Sequence, residues 1–488
     1  MEVNDYHVSP TELQQLEKRG YNQDLLPKDE TKRNMDAKNY FTLWMGSIHN
    51  IPNYTAVGGF LFLGLSPLNV MLALIISAVV VAGFMTVNGV VGSRFGIPFA
   101  MHLRSTYGNV GAKLPGFLRG CVAAIAWFGL QNYTGSLALL ILIGKIWPGF
   151  LELGGDTMIL GISIPGLIAF TAFWLLNVAI GFGGGNILNK FTAILTPLIY
   201  IVFGGMAIWA FTVAGGMGPI LSYDTVGVTR SIHPLFGYLM VINSVLAVWA
   251  APGASVSDFT QNAKSTKQQA VGQTLGLVIG YAIFAIFSVV ILIGGSIHYD
   301  IQEWNVLNII DRWDNFPAII LAMAVFLLTT ISTNATGNII PAAYQLTALF
   351  PKKINYKKGV LIASIISFVI MPWKLMENAD SIFIFLNTIG AVLGPVAGVM
   401  LTHYFFVNKQ QIDLDKLYMD PTKNNKNNQY HGINRQAYIA TIVALLLSLS
   451  GQFISSLKMI SDISWLVGFA AASIIYLGLQ KFSTKTND

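Results

Sequence analysis

Twelve long apolar runs follow one another along this chain, and they restrict its fold more than any other feature. Each run can cross the roughly 30 Å of bilayer hydrocarbon, which takes about 20 helical residues. Only 11% of the residues are charged, against about 25% in soluble proteins, so a water-exposed surface could not be covered. The runs lack the short alternating pattern of outer-membrane barrels. We predict an all-α polytopic membrane protein with 12 transmembrane helices at 40–64, 68–91, 118–143, 161–184, 190–214, 235–260, 270–295, 316–345, 358–373, 380–407, 436–456 and 462–480.

Basic residues are distributed unequally between the two sides of these spans. With the N-terminus in the cytoplasm, the cytoplasmic regions hold 24 of the 29 lysines and arginines, and the opposite side holds five. Such an excess marks the cytoplasmic loops of membrane proteins. We therefore expect both termini in the cytoplasm and insertion into the plasma membrane, with the lipid bilayer as surroundings. The net charge of +6 then reflects topology and does not indicate a nucleic-acid partner.

Two segments outside the apolar runs carry weaker signals. We expect residues 1–39 to form a solvated tail; a short surface helix capped by Ser9 or Thr11 is the alternative. The glycine-rich stretch 181–186 lacks the Lys-Ser/Thr of a phosphate-binding loop. It predicts a tight turn between spans 4 and 5 instead. With no nucleotide-binding segment in the sequence, an ATP-driven pump is disfavoured.

Spans 1 and 6 are both interrupted by a proline. Span 1 contains Pro52 in WMGSIHNIPNYTAVGGF, and span 6 contains Pro252 in VLAVWAAPGASVSDFTQ. Proline removes a backbone donor and clashes with the preceding turn, and unwound backbone at membrane depth is tolerated only where it lines a protein cavity. Two interrupted helices five spans apart are typical of repeated transporter cores. Ordinary proline kinks are the alternative.

A tryptophan and an amide share one face of span 3. Trp127 and Gln131, in AIAWFGLQNYTGS, are four residues apart and therefore lie on the same side of a helix. An aromatic ring beside an amide suits a flat, uncharged heterocycle whose edge carries N–H and C=O groups. Taken alone, the pair is better explained by helix packing.

Span 8 carries a dense cluster of polar side chains in LLTTISTNATGNIIP. A single hydroxyl can bond to its own helix, but this many polar groups indicate a wet or ion-binding surface. Hard oxygen ligands suit a small hard cation. The cluster comprises Thr329, Thr330, Ser332, Thr333, Asn334, Thr336 and Asn338.

Two ionisable residues in the spans have alternative interpretations. Asp258 lies late in span 6, where a buried charge is costly. We favour a structural role at a helix end over proton coupling. His49 could titrate near neutral pH, or it could contribute only its backbone carbonyl at the break, which we prefer.

Five stretches of the chain resemble, in order, the motifs of the nucleobase:cation symporter-1 family. They are WMGSIHNIPNYTAVGG, WFGLQNYTGS, STNATGNIIPAAY, PWKLMENA and LGPVAGVM. The resemblance runs from about residue 39 to the end of span 12, and within the family it is strongest to bacterial allantoin permeases. It implies a leucine-transporter-type inverted repeat of five spans (40–214) and five spans (235–407), a cytoplasmic loop (408–435), two peripheral helices (436–480) and a C-terminal tail (481–488).

The same resemblance implies the site. The substrate pocket would use the aromatic rings of Trp127 and Trp249 and the amides of Gln131, Asn338 and Asn50. Hydantoin carriers have a glutamine where this chain has Asn50, which leaves the exact substrate open. Some members hold sodium and others couple to protons. A sodium site would use carbonyl groups of Gly46, His49 and Thr329 and hydroxyls of Ser332 and Thr333.

From the residues and the resemblance we expect a secondary active transporter that imports allantoin or a related heterocycle with sodium or a proton. We expect no cofactor and no obligatory protein partner. The alternative is a transporter of the same fold for cytosine, uracil, a purine, a vitamin-like heterocycle or an amino acid. A site for an amino acid would need groups that bind a carboxylate or an ammonium. An intramembrane enzyme would need a catalytic constellation within the spans, and the sequence contains none that we can identify.

Overall fold

The computed structural model describes residues 5–21, 23, 25–183, 195–224, 232–350, 353–374, 381–419 and 428–482. Parts of the tails and of the loop 408–435, including 420–427, lie outside the described residues. The helices are α1 Pro10–Glu17, α2 Ala37–Ile48, α3 Ile51–Leu61, α4 Pro67–Phe95, α5 Phe99–Tyr107, α6 Lys113–Phe117, α7 Ala124–Ile146, α8 Ile164–Val213, α9 Met217–Leu221, α10 Pro234–Ala254, α11 Ser257–Thr260, α12 Thr266–Tyr299, α13 Val306–Asp311, α14 Phe316–Asn334, α15 Ile340–Leu349, α16 Tyr356–Val369, α17 Ala379–Thr402, α18 Leu414–Leu417, α19 Arg435–Phe453, α20 Lys458–Asp462 and α21 Ser464–Lys485.

Shorter elements connect these helices. Within the described ranges, π-helical segments occupy Leu118–Ala123, Ala335–Ile339 and His403–Val407, and they join α6 to α7, join α14 to α15 and extend α17. A two-stranded antiparallel hairpin, β1 Met158–Ile159 and β2 Ile162–Ser163, precedes α8. The 3-10 turns are Gln23–Leu25, Glu30–Lys32, Pro148–Phe150, Pro372–Met376 and Ser455–Leu457.

The fold is that of a helical, multi-pass membrane protein. In the part of the chain that the structure describes, ten helical segments are long and apolar enough to cross a bilayer. Predicted spans 1 and 9 are not among the ten. Span 1 is divided into α2 and α3, of 12 and 11 residues, and span 9 corresponds to α16, of only 14 residues.

The helix break predicted in span 1 is present. It falls at His49 and Asn50, whose backbone angles are non-helical (ψ 80° and 162°). Pro52 lies in the first turn of α3, where its missing N–H costs no hydrogen bond. The proline therefore starts the second half-helix, and the unwound residues precede it.

The break predicted at Pro252 in span 6 is displaced along the chain. Pro252 is inside α10, which continues to Ala254 before the backbone leaves the helix at Ser255. A proline removes one hydrogen bond of the ladder, and the helix tolerates this loss for two more residues. The last carbonyls of α10 are then satisfied from α4, because Asn88 Nδ2 donates to Gly253 O at 2.6 Å and to Ala254 O at 3.1 Å.

The tight turn predicted for the glycine run 181–186 stays a prediction, because residues 184–194 lie outside the described residues. A straight helix with the 50 residues of α8 would be about 75 Å long, more than twice the roughly 30 Å of bilayer hydrocarbon. The two apolar segments within it, Ile164–Gly183 and Leu195–Val213, match predicted spans 4 and 5.

The N-terminal tail is not the solvated segment that we expected from the sequence, so that prediction is wrong. Ser9 caps α1 in a capping box with Glu12, and these hydrogen bonds lower the pKa of the Glu12 carboxyl below its usual value. Farther along, Leu16 and Leu26 are buried. The backbone N–H of residue 28 donates to the carbonyl of Gly96 at 2.8 Å. The tail is therefore packed against the ends of the spanning helices.

Three glycines on one face of α12 allow α2 to approach closely. Gly272, Gly276 and Gly280 are spaced four residues apart, and a Cβ on any of them would meet atoms of α2. A Cβ on Gly276 would lie 2.8 Å from the carbonyl oxygen of Phe41. Small residues at such positions let helices pack through their backbones in membranes. This contact holds α2, the first half of the broken span, against α12.

We predict that Gly276→Ala lowers the apparent melting temperature of the detergent-solubilised protein, because overpacking costs about 1–3 kcal/mol. Gly83→Ala is the matched control, since Gly83 lies within α4 and a Cβ there would meet no atom within 4 Å. The control should melt at or slightly above the wild-type temperature. Equal melting of the two variants would contradict a close approach of α2 and α12.

Candidate functional site

A cavity with about 530 Å³ of space between its wall atoms lies where the two interrupted spans meet α7 and the end of α14. Each of the five residues predicted to bind substrate lines it: Trp127, Gln131, Trp249, Asn338 and Asn50. The remaining wall residues are Trp44, Ser47, Asn53, Val248, Pro252, Phe259, Thr333, Thr336 and Gly337. None of these described wall residues is ionisable, so the cavity is polar but uncharged.

Indole rings form much of the cavity wall. Trp127 packs edge-to-face on Phe385, with ring centroids 4.9 Å apart. Trp249 packs in the same way on Trp44 at 5.5 Å, and its indole N–H donates to the Tyr281 hydroxyl. These contacts fix both rings predicted to stack on a substrate. Trp44 was missed by the sequence reasoning, although it opens the quoted motif of span 1.

Several polar atoms in the wall have no partner among the described residues. They are Oε1 of Gln131, Nε1 of Trp127, Nε1 of Trp44 and Oγ1 of Thr333. A buried polar atom without a hydrogen bond is costly, so a ligand offering both donors and acceptors would be stabilised here. Gln131 and Trp127 lie one turn apart on α7, as their spacing predicts.

The amides at the first break are largely occupied by backbone. Asn50 Nδ2 donates to Ser47 O at 2.9 Å, and its Oδ1 accepts from the N–H of Asn53 at 3.1 Å. Asn53 Nδ2 donates to Ile48 O at 2.6 Å. The two side chains thus satisfy groups freed by the break. Asn50 lines the cavity, but the hydrogen bonds of its side chain serve to cap α3. The sequence analysis did not identify Asn53 as part of this site.

His49 turns its ring away from the cavity. The ring is fully buried, stacks on Phe203 at 5.1 Å, and its Nδ1 lies 3.1 Å from the Tyr54 hydroxyl. Further aromatic contacts come from Tyr200, Phe284 and Phe287. The ring therefore does not line the cavity, and the role expected for the His49 backbone carbonyl stays a prediction.

The other residues of the predicted cation site lie on α2 and α14, which contact each other. Of the five, Thr333 lines the cavity, whereas Gly46, His49, Thr329 and Ser332 do not. The Thr329 hydroxyl donates to Phe326 O at 3.0 Å, and Ser332 O accepts from the Thr336 hydroxyl at 2.8 Å. Neither bond involves a predicted ligand atom, since those are the Thr329 carbonyl and the Ser332 hydroxyl, and Thr333 Oγ1 has no hydrogen-bond partner among the described residues.

A buried arginine connects three of the elements around the cavity. Arg119 lies in the π-helical segment before α7 and is fully buried. Its guanidinium donates to Ala251 O near the second break and to Gly337 O in the π-helical segment after α14, the latter at 3.0 Å. The sequence analysis includes Arg119 only as one of the 24 basic residues counted on the cytoplasmic side. Its position directly before the apolar run of α7 was the available signal.

Asp258 acts at a helix end, in line with the favoured interpretation. Its Oδ1 accepts a hydrogen bond from the N–H of Phe99, the first residue of α5, at 2.8 Å. A carboxylate stabilises the positive end of a helix. Asp258 also borders a wider cavity that shares Phe259 and Thr336 with the first and includes the tail residues Lys28 and Met35. The candidate site thus adjoins a wider cavity.

Comparison with known proteins assigns the family. Residues 27–468 match the family described as permease for cytosine/purines, uracil, thiamine, allantoin. The chain is 58% identical to the "Putative allantoin permease" of Escherichia coli (strain K12), over 96% of both chains, and 38% identical to the "Allantoin permease" of Bacillus subtilis (strain 168), over 96% of this chain and 95% of that one.

A solved structure shares the fold. Mhp1, a nucleobase-cation-symport-1 family transporter with bromovinylhydantoin bound in a closed conformation, superposes with a TM-score of 0.76. The likeness covers 96% of each chain at 21% sequence identity. The relatives are permeases and transporters, not enzymes. This chain belongs to the nucleobase:cation symporter-1 family of permeases.

Proposed function

We propose that the protein imports allantoin or a closely related hydantoin by cation symport with alternating access. One observation carries this proposal: the two tryptophans and three amides expected to bind such a ligand line one uncharged cavity between the interrupted spans. Ligand pockets in transporters of this type lie between discontinuous helices. The relatives named allantoin permease support the substrate.

The wall chemistry favours a heterocyclic amide over the alternatives. Offset stacking on an indole contributes about 0.5–1.5 kcal/mol. The amides of Gln131 and Asn338 then match N–H and C=O groups on the ring edge, and an analogue without them leaves buried groups unpaired. An amino acid would place two charges in a wall that carries none. Cytosine, uracil, purines and vitamin-like heterocycles fit the same chemistry, so they remain the alternative substrates.

The finer architecture belongs to the same proposal. We infer twelve spans, counting α2 with α3 as span 1 and α16 as span 9, arranged as an inverted repeat of 40–214 and 235–407. Residues 436–480 then form two peripheral helices, and 408–435 and 481–488 are cytoplasmic. The excess of basic residues in the tails and even-numbered loops supports cytoplasmic termini in the plasma membrane.

A coupling cation between α2 and α14 would link ion and substrate binding. The ligands would be carbonyls of Gly46, His49 and Thr329 and hydroxyls of Ser332 and Thr333. Thr333 lies on α14 and lines the cavity, and its hydroxyl has no hydrogen-bond partner among the described residues. A cation that draws α2 and α14 together would tighten the substrate site, and by linkage the substrate would tighten the cation site. Sodium and a proton are the two candidates.

We predict that Gln131→Ala reduces uptake of radiolabelled allantoin into proteoliposomes by at least about tenfold, because the ligand loses a buried hydrogen-bonding partner. Gln452→Ala is the control, since Gln452 is exposed and bonds only to Thr388 among the described residues. Unlabelled nucleobases and vitamins should compete less well than hydantoins. Normal uptake by Gln131→Ala would remove this residue from the site, and indifference to every heterocycle would refute the proposed function.

The double substitution of Ser332→Ala with Thr333→Ala should abolish any dependence of uptake on a sodium gradient. The two hydroxyls supply cation ligands that alanine cannot replace. Thr347→Ala is the control, because the Thr347 hydroxyl bonds to its own helix at 2.8 Å. Uptake that follows only a pH gradient, unchanged in the double variant, would rule out the sodium site and assign a proton.

A further inference from the structure

Four buried asparagines form a continuous chain of amide hydrogen bonds leading away from the cavity. Asn338 Nδ2 donates to Asn334 Oδ1 at 3.0 Å, and Asn334 Nδ2 donates to Asn177 Oδ1 at 3.1 Å. Asn177 Nδ2 then donates to Asn132 Oδ1 at 3.2 Å. The chain crosses from the end of α14 to α8 and α7. Only Asn338 lines the cavity; the other three are fully buried behind it.

Backbone carbonyls fix the direction of this chain. The side-chain nitrogens of Asn132, Asn177 and Asn334 also donate to main-chain oxygens, at 3.4, 2.9 and 3.4 Å. A carbonyl oxygen can only accept. Reversing any of these amides would therefore set two oxygens against each other. The orientation follows from the network, and the three acceptors are the carbonyls of Phe170, Phe173 and Phe128.

The direction of the chain determines what Asn338 offers to a ligand. Because Asn334 Oδ1 is an acceptor, Asn338 must turn its Nδ2 toward Asn334. Its Oδ1 receives no hydrogen bond from the described residues and remains for the cavity. Without the three asparagines behind it, the Asn338 amide could rotate and present either atom. An amide that can rotate would bind a hydrogen-bond donor of the ligand through its oxygen or an acceptor through its nitrogen, with little preference between the two.

We propose that Asn132, Asn177 and Asn334 form a positioning relay that holds Asn338 as a hydrogen-bond acceptor for a ring N–H of the ligand. This inference rests on the proposed heterocycle transport and adds how the site selects among heterocycles. The relay residues act through Asn338 and do not contact the ligand. They make the site specific for ligands that carry N–H at the matching edge, a property that N-methylation of the ligand removes.

The test compares hydantoin with 1-methylhydantoin and 3-methylhydantoin as competitors of radiolabelled allantoin uptake in proteoliposomes. In the wild type, methylation at one of the two positions should weaken competition by about tenfold or more, because the buried acceptor loses its donor. In Asn177→Leu, whose side chain has similar size but no polar group, that penalty should fall below about threefold. If the leucine variant does not accumulate, Asn177→Ser takes its place. The serine side chain is too short to bond to both Asn334 and Asn132, so the methylation penalty should fall in the same way.

Asn387→Leu is the matched control. It removes a buried amide–amide hydrogen bond of 3.1 Å with Asn243, and neither asparagine lines the cavity, so it should keep the full methylation penalty. An unchanged penalty in both Asn177 variants, or equal loss in the control, would overturn the relay while hydantoin transport stands. No methylation penalty in the wild type would also overturn it. A wild type that recognises no hydantoin would refute the transport proposal, and the relay with it.

Discussion

Backbone groups freed at two helix breaks must find partners inside a membrane protein, and the rest of this structure depends on how they do so. Lipid offers no hydrogen bonds, so each freed carbonyl needs a protein donor. At the first break the donors are the side chains of Asn50 and Asn53. At the second the donor is Asn88, and the guanidinium of Arg119 adds a further hydrogen bond to Ala251 O. Most of these donors are neutral side-chain amides, which stabilise the breaks and add no charge.

The cavity follows from this solution. Two spans that lack a continuous helix leave space beside α7 and α14, and indole rings and amides fill its wall. The π-helical segment after α14 shifts the backbone so that Thr336, Gly337 and Asn338 all face the same space, as such segments frequently do at functional sites. Arg119 joins this segment to the second break. The guanidinium thereby connects the two elements through hydrogen bonds to the backbone of each.

The sequence was sufficient to identify the membrane class, the family and the five cavity residues, because these depend on apolar length, helical spacing and motif order. Trp127 and Gln131 lie together since four residues make one turn. The position of the second break could not be predicted from Pro252, because a proline weakens a helix but does not determine the residue at which the helix ends. The roles of Arg119 and Asn53 depend on contacts between distant segments. The packed N-terminal tail was missed for the same reason, since its partners lie on other helices.

The central claim is that the two breaks create an uncharged, indole-walled site for a heterocycle. An experimental structure of the protein with allantoin bound tests it most directly. We expect the ring between Trp127 and Trp249, within hydrogen-bonding distance of Gln131 and Asn338, with the helices interrupted at 49–50 and 255–256. Continuous helices at both places, or allantoin bound elsewhere with Trp127 facing lipid, would contradict the account.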